Sequence, residues 1–470
     1  MGLYNFFRGI FGKGTSGYEV VDRVETNQLP HTPRPQVASK ELTAYNRSNI
    51  LGQSRYYYRN DGTIKELVDN LALYSIGGGI TPQPMTSNLD FNKKIQKAFS
   101  KWWRNPEITG RFTGRQIQEF ISIAYDVDGE IFIVKTFDPL TNEPKIQLVE
   151  SQQVKSPEDS TEFENGIKFD QFGRPEAYSI EQQNGEFKVV PASSVIHVFN
   201  AERATSTRGI STFYHLLSLT NQRTELLDLT IQKARQEAKF VNAIEQTKAD
   251  DVLSTQDFLN SNSDPEEEAR EEERMLFDSA NRVSSVIGGT TVSLPHGMTL
   301  KQLSSSSPGP SYLGFAEQLL KLSSTGLMPY GFADPSGLTG VSVRMVIAKA
   351  ARVIGARQDI ICEVMSKIYH YFLGWHISEM EGIEKINNLF IVDWQCPRNV
   401  TVDYGRDEKT DLTLVQSGLK PIEDYYAERG LDFKQEVTKR LEAIKEIKEQ
   451  CERLGVEPSI AFPSLFTNKI

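Results

Sequence analysis

Several short patterns combine residue types that can carry out chemistry, beginning with histidines and a glycine-lysine pair. His370 and His376 lie six residues apart on a predicted helix, so they lack the spacing of a zinc-binding His-Glu-x-x-His motif. Gly12-Lys13 resembles the end of a phosphate-binding loop. However, Phe7 stands where that loop needs its first glycine, and Gly14 where it needs Ser or Thr. We interpret the two histidines as aromatic core residues and predict no metal or phosphate site here.

Three further patterns have simpler structural interpretations. Gly340-Val341-Ser342-Val343-Arg344 misses a nucleophile elbow because its last residue is Arg, and Ser342 suits a helix N-cap. Gly77-Gly78-Gly79 has no preceding strand, so it predicts a turn or a helix stop rather than a dinucleotide site. Asp126 and Asp128 precede a predicted strand and are interpreted as part of a turn rather than as metal ligands. The sequence therefore predicts no catalytic residue, no cofactor and no enzyme.

The net charge of the chain limits its possible partners. The 470 residues carry a formal charge of −10, with a pI of about 5.4. A nonspecific nucleic-acid binder normally has a basic face and a high pI, so this class is disfavoured. A protein that DNA passes without being gripped is still compatible with the charge.

Cysteine content and hydropathy indicate the compartment. Cys362, Cys396 and Cys451 are odd in number and far apart in sequence, which predicts neither disulfides nor zinc and favours a reducing cytoplasm. The first 14 residues lack the apolar core of a signal peptide. No apolar run approaches the ~18 residues of a membrane span, so no membrane partner is expected.

The elements that would position any site begin with helices and continue as strands. Helices are predicted at Thr43–Leu73, Phe91–Trp103 and Thr113–Tyr125, the last capped by Thr113. A small antiparallel sheet follows, because the period changes to that of β-branched and aromatic strands. Its predicted strands are Glu130–Lys135, Lys145–Glu150, Gly166–Asp170, Pro175–Glu181, Glu186–Val190 and Val195–Phe199.

Two helices enclose an insertion in the middle of the chain. A long helix is predicted after Ser211, its N-cap, and helix resumes after the insertion at Ser311. Residues 244–310 differ in composition and end in a Ser- and Pro-rich loop. A glycine-rich loop then leads to the strongest helix of the chain, Ser342–Gly374.

The insertion contains an acidic segment, Asp264–Glu273, with seven carboxylates. Its simplest interpretation is a solvated helix start, since Asp264 can cap and Pro265 fits the first helical position.

Several stretches, in this order and spacing, resemble the phage portal family, particularly its lambda-like branch. The segment from Val195–Phe199 to Arg208-Gly209-Ile210-Ser211 gives the strongest resemblance, because portal proteins commonly have a similar sequence before their long helix. The other stretches are Tyr45–Ile80, Leu148–Val154, Gly166–Tyr178, Pro329-Tyr330-Gly331, Ser342-Val343-Arg344, Gln416–Leu419 and Arg429–Asp432.

The resemblance implies an α+β portal-type subunit with a wing of helices plus a small antiparallel sheet, a helical stem, an α/β clip and a helical crown. The boundaries drawn from composition agree with this plan. The resulting segments are an N-terminal arm (1–40), wing (41–210), stem helix (211–243), clip (244–310), stem helix (311–328), tunnel loop (329–341), long helix with the rest of the wing (342–404), and crown (405–470).

The resemblance also implies a function and partners. The chain would form a ring of about a dozen subunits at one capsid vertex in the virion, after assembly in the host cytoplasm. Double-stranded DNA would pass through it during packaging and ejection. The expected partners are the terminase large subunit, the major capsid protein and a head-completion or adaptor protein.

Two groups of site residues follow from the resemblance. The tunnel loop would touch DNA through Gly331, Ser336, Gly337, Leu338, Thr339, Gly340 and Arg344. The clip would bind the DNA-packaging motor, which is the terminase large subunit, through Glu266, Glu267, Glu268, Glu271, Glu272 and Glu273. Salt bridges between subunits are the expected role for most of the other cations of the long helix, which are Lys349, Arg352 and Arg357.

Two other classes stay open at this stage. An adaptor or scaffold protein would share the composition but form no channel. A nuclease or terminase subunit would need a phosphate loop or carboxylates clustered at strand ends, and the sequence offers neither.

Overall fold

The computed structural model describes most of the chain between 36 and 457. The described residues are 36–157, 160–239, 242–246, 298–302, 310–322, 327–334, 336–377, 388–397, 400, 404–427, 429, 433–455 and 457. The chain divides into two compact units, one of 1–221 with 319–470 and one of 222–318.

The described part of the first unit begins with a short helix α1 (Ala38–Glu41) and two longer ones, α2 (Ala44–Asn60) and α3 (Gly62–Ile76). The single helix predicted over Thr43–Leu73 is therefore wrong, because it breaks at Asp61. The carboxylate of Asp61 accepts hydrogen bonds from the backbone N–H groups of Thr63 and Ile64 at 3.0 Å each. This side chain caps a new helix in place of continuing the old one.

Strand β1 (Thr81–Pro84) and helices α4 (Leu89–Trp102) and α5 (Gly114–Val127) follow. The predicted cap at Thr113 is confirmed as a complete capping box with Gln116, in which each side chain bonds the backbone of the other residue. Asn88 caps α4 by accepting from Asp90 and Phe91.

The strands described between 130 and 199 form two three-stranded antiparallel sheets, not the single sheet predicted. β2 (Glu130–Phe137) lies between β3 (Pro144–Val149) and β7 (Val195–Phe199). β5 (Pro175–Glu181) lies between β4 (Ile167–Phe169) and β6 (Phe187–Pro191). The sheets remain small and antiparallel, as predicted.

Strand β2 is buried on both of its faces and lies between two hydrophobic clusters of the core. Ile131 and Ile133 face the helices, whereas Phe132 and Val134 face residues of the second sheet such as Tyr178. Alternate residues of a strand point to opposite faces, so this one strand contributes to both clusters.

The longest helix of the first unit is α9 (Gly340–Ile377), which is longer at both ends than the predicted Ser342–Gly374. It is preceded by the four-residue helix α8 (Tyr330–Ala333). Buried residues of α9 pack with α4, α5 and β2 through Ile361 and Ile368, and with α2 and α3 through Ile354.

β10 (Val392–Gln395) pairs with β1. The chain continues as α10 (Tyr404–Gln416), α11 (Ile422–Ala427) and α12 (Phe433–Leu454).

The second unit contains most of two helices and a two-stranded sheet. The helices are α6 (Leu217–Lys239) and α7 (Pro310–Leu322). β8 (Asn242–Gln246) pairs antiparallel with β9 (Met298–Gln302). The structure thus has the predicted mixed, helix-rich class with small antiparallel sheets.

Candidate functional site

The segment Arg208–Ser211, which leads towards α6, is fixed by a buried ion pair. The Arg208 side chain is fully buried, and its Nε lies 2.9 Å from both carboxylate oxygens of Glu130, at the start of β2. The guanidinium also donates to the backbone oxygens of Ser151, Val154 and Asn165. One side chain therefore joins both three-stranded sheets to the segment before α6.

Glu130 stays ionised in this buried position. Burial alone would raise its pKa, but the charge of Arg208 and hydrogen bonds from His197 and Arg208 hold the pKa well below its usual range. His197 Nε2 lies 3.1 Å from Glu130, and because a carboxylate only accepts, this nitrogen donates. Burial lowers the pKa of His197, so the imidazole is neutral at neutral pH. The Gly209 N–H adds a further hydrogen bond to Glu130 at 3.0 Å.

Two glycines permit the close backbone approach around this ion pair. A Cβ on Gly129 would lie 2.0 Å from the backbone carbon of Ile210, and a Cβ on Gly209 would lie 2.1 Å from the backbone oxygen of Gly129. Neither contact leaves room for a side chain. The glycine in the Arg208-Gly209-Ile210-Ser211 motif is therefore required by space.

A second buried ion pair connects the same segment to the long helix α9. The Arg357 guanidinium lies 2.5 Å from Asp126 at the end of α5 and donates to the backbone oxygen of Ser122 at 2.8 Å. The Asp126 backbone oxygen accepts from the Ser211 hydroxyl at 2.8 Å, and its carboxylate accepts from Thr212. Burial raises the pKa of Asp126, while the Arg357 charge opposes this shift.

This geometry corrects three interpretations made from sequence. Arg357 forms an ion pair within the subunit, not between subunits, and its partner Asp126 lies in the last turn of α5 rather than in a turn before the strand. Asp128 lies in the predicted turn and pairs with Arg55 at 2.5 Å. Ser211 does not cap the long helix, because α6 starts at Leu217 after a 3₁₀ turn.

The predicted tunnel loop has an anchored first half. Met328 is buried in the core, and the Phe332 ring packs edge-on against Tyr74 of α3 with the ring centroids 5.0 Å apart. Gly331 lies in α8, where a Cβ would come within 2.9 Å of a methyl carbon of Leu338. Gly331 therefore lies in a short helix close to the Leu338 side chain.

The second half of the loop is a turn on the surface. Asp334 accepts a hydrogen bond from the Ser336 N–H at 2.9 Å, and Gly337 has a φ of +75° that favours glycine. Ser336, Gly337, Thr339 and Gly340 are exposed, whereas Leu338 is half-buried.

The first turn of α9 continues this exposed surface. Val341 and Met345 are 71% and 72% exposed, and Arg344 between them is also exposed. Ser342 lies within this first turn and is not the N-cap predicted, because the helix begins at Gly340. The structure thus brings the exposed loop residues and Arg344 onto one continuous surface.

Other predicted features fall elsewhere. The six glutamates of the clip lie outside the described residues, as do the first 35 residues of the N-terminal arm.

Cys362 and Cys396 have their sulfur atoms 3.5 Å apart, a proximity that their 34-residue separation does not reveal. In the described part of the chain, no cluster of three or more metal-ligating side chains occurs. None of the helices described there has the length and apolarity needed to cross a bilayer.

Comparisons with known proteins agree with this architecture. Residues 28–358 match the family model described as phage portal protein, lambda family. No protein of curated function matches the sequence significantly. The neck of an empty gene transfer agent particle, computed with C6 symmetry, is 12% identical with a TM-score of 0.53, over 82% of this chain and 94% of that one.

Two other solved structures are less similar in shape. The neck of a native gene transfer agent particle, computed with C12 symmetry, is 11% identical with a TM-score of 0.45, over 87% of this chain and 96% of that one. An HK97 family phage portal protein from Corynebacterium diphtheriae is 12% identical with a TM-score of 0.32, over 64% of this chain and 89% of that one.

Proposed function

Because this chain belongs to the lambda family of phage portal proteins, we propose that it forms a closed ring through which double-stranded DNA enters and leaves a capsid. The match of one family model over well over half of the chain is the observation that carries this proposal. The fold shared with the gene transfer agent neck supports it independently. The family is structural and non-enzymatic, so the motor that drives DNA must be another protein.

Ring formation requires a surface that is covered by a neighbouring subunit. Leu227 and Ile231 lie one turn apart on the same side of α6 and are 41% and 48% exposed, and Leu229 on another side of the helix is 56% exposed. Exposed apolar side chains on two sides of a helix suit a ring, in which each stem helix has a neighbour on either side. We assign them to the contact between adjacent stem helices.

The proposed contact must repeat around a closed ring. A head-to-tail interface forms a ring when the rotation between subunits closes. The related neck particle was computed with C6 symmetry, and a ring of about a dozen subunits is compatible with sixfold symmetry.

Each segment of the subunit has a proposed role within this ring. The stem comprises α6 and α7, the clip lies between them, and the wing and crown contain the rest. The exposed loop 336–340 and Arg344 face the channel and touch passing DNA. The segment Glu266–Glu273 on the clip docks the terminase large subunit, and capsid and head-completion proteins contact the ring elsewhere.

The charge of the chain suits passage of DNA rather than retention. Each phosphate neutralised by Lys or Arg strengthens binding, so a continuous basic sleeve would resist movement. The net charge of −10 is compatible with a channel that holds DNA weakly.

A packaging experiment tests the proposed function. Phage lacking this chain, complemented by the wild-type chain, should yield capsids with nuclease-protected DNA. Without complementation, shells should assemble but remain empty. If shells lacking the chain fill with DNA normally, the proposed function is wrong.

A further inference from the structure

One exposed helix face carries a concentration of positive charge that the proposed function does not use. The outward face of α4 and the turn after it present only cations as charged groups between 91 and 104. The opposite face of α4 is fixed in the core by Phe91, Ile95 and Phe99. The exposed cations are Lys93, Lys94, Lys97, Lys101 and Arg104. Because the inner face is packed, the orientation of these cations is set by the fold.

These cations are not neutralised by carboxylates within the described part of the chain, where none of them forms an ion pair. Other exposed lysines do form such pairs. Lys65, Lys168 and Lys367 lie 3.0, 2.8 and 2.8 Å from Asp69, Glu162 and Glu363. Asp90, in the first turn, is the one carboxylate between 89 and 104. A locally basic surface therefore stands out from a chain whose net charge is −10.

The spacing of the lysines suits a charged backbone. Lys93, Lys97 and Lys101 follow one another at four-residue intervals, which is about 6 Å of rise each along one side of the helix. Lys439 of α12 lines the same open groove as Lys93 and Lys97, with its own charge paired to Glu436 at 2.6 Å. Phosphates along each strand of a duplex present one charge about every 3.4 Å of axis. A row of cations about 12 Å long can therefore contact several phosphates at once.

We propose that this α4 face binds the phosphate backbone of double-stranded DNA without reading its sequence. Protein interfaces are depleted in lysine and usually have an apolar centre. Between 91 and 104, a range that is fully described, no large apolar side chain is exposed. Lys and Arg are the residues that contact phosphates. This inference rests on the proposed function, because it gives a protein through which DNA passes an additional DNA-binding surface.

The test measures binding of a labelled duplex of about 30 base pairs to the full-length protein, at salt between about 50 and 200 mM. If each of the five cations contacts one phosphate, the slope of log affinity against log salt is about −4.5, so the wild type should lose about 500-fold in affinity. The variant K93Q/K97Q/K101Q keeps the two contacts of Lys94 and Arg104 and should lose about 12-fold. The control K65Q/K168Q/K367Q removes the same charge from paired positions and should behave as wild type.

The outcomes separate this inference from the proposed function. Electron microscopy of each variant reports ring formation independently of DNA binding, and we expect rings from all of them. The inference is overturned if the α4 variant keeps the wild-type salt slope, or if the control loses as much as the α4 variant. It is also overturned if polyglutamate binds this face and duplex DNA does not, since the partner would then be an acidic protein. Absence of rings in the wild type would instead refute the proposed function.

Discussion

Replacing Arg208 by methionine should destabilise the subunit strongly, because it leaves a buried charge without its main partner. The methionine retains an apolar stem of similar length but removes the guanidinium that bonds Glu130 through Nε at 2.9 Å. Both side chains are fully buried. Breaking a buried pair by removing one partner typically costs about 3–5 kcal/mol. Three backbone oxygens, of Ser151, Val154 and Asn165, also lose a donor.

A matched control separates the loss of the buried pair from the loss of an arginine. Arg174 pairs with Asp170 at 2.9 Å, but its side chain is 74% exposed. Replacing Arg174 by methionine should cost less than about 1 kcal/mol, the usual upper range for an exposed pair. The comparison holds the substitution constant and changes only its burial.

A double variant tests whether the charge itself is responsible. When Glu130 is also replaced by glutamine, no unpaired carboxylate remains, and the amide oxygen can still accept from Gly209. Residues in one network show interaction energies of about 0.5–3 kcal/mol. The double variant should therefore be less destabilised than Arg208→Met alone.

The assay is urea unfolding followed by far-UV circular dichroism, with the free energy of unfolding obtained by linear extrapolation. The expected order of stability is wild type, Arg174→Met, the double variant, and Arg208→Met last. If Arg208→Met costs no more than Arg174→Met, the ion pair does not hold the segment before α6 as argued.

Three further predictions concern the clip, the loop and pH. Replacing the glutamates of Glu266–Glu273 by glutamine should weaken motor docking at low salt and leave rings intact, because exposed charges act through a screened field; unchanged affinity at low salt would contradict this. Shortening 336–340 to two glycines should permit assembly but cause loss of packaged DNA, and capsids that retain a full genome would show that the loop is only a connector. Since burial lowers the pKa of His197, the unfolded chain takes up a proton that the native one does not as pH falls below about 6.5. Stability should therefore drop by up to about 1.4 kcal/mol per pH unit, and unfolding measured at two pH values should show a smaller drop for His197→Gln.

Local sequence patterns predicted much of the fold. The cap at Thr113 and the bounds of β5 and β7 match the prediction, because side-chain caps and alternating apolar residues act over a few positions. The break at Asp61 was missed because a capping carboxylate there follows apolar and aromatic residues that also suit a continuous helix. The division of the strands into two sheets depends on which strands pair, and strand pairing is a long-range property.

Local sequence patterns could not predict the buried ion pairs. Arg208 and Glu130 are 78 residues apart, and Arg357 and Asp126 are 231 apart, so spacing alone does not connect them. One signal was present, namely a glutamate directly before the apolar run Ile131–Val134 of a predicted strand. A carboxylate in that position must be paired when the strand is buried. The roles of the clip and loop residues stay predictions.

Electron microscopy of the purified full-length protein tests the central claim most directly. The account predicts closed rings of uniform subunit number, with a central hole wide enough for a DNA duplex. Stem contacts through Leu227, Leu229 and Ile231 should make these rings persist when salt is raised, because apolar contacts are not screened. Images that show compact monomers or open filaments at every salt and protein concentration would contradict the account.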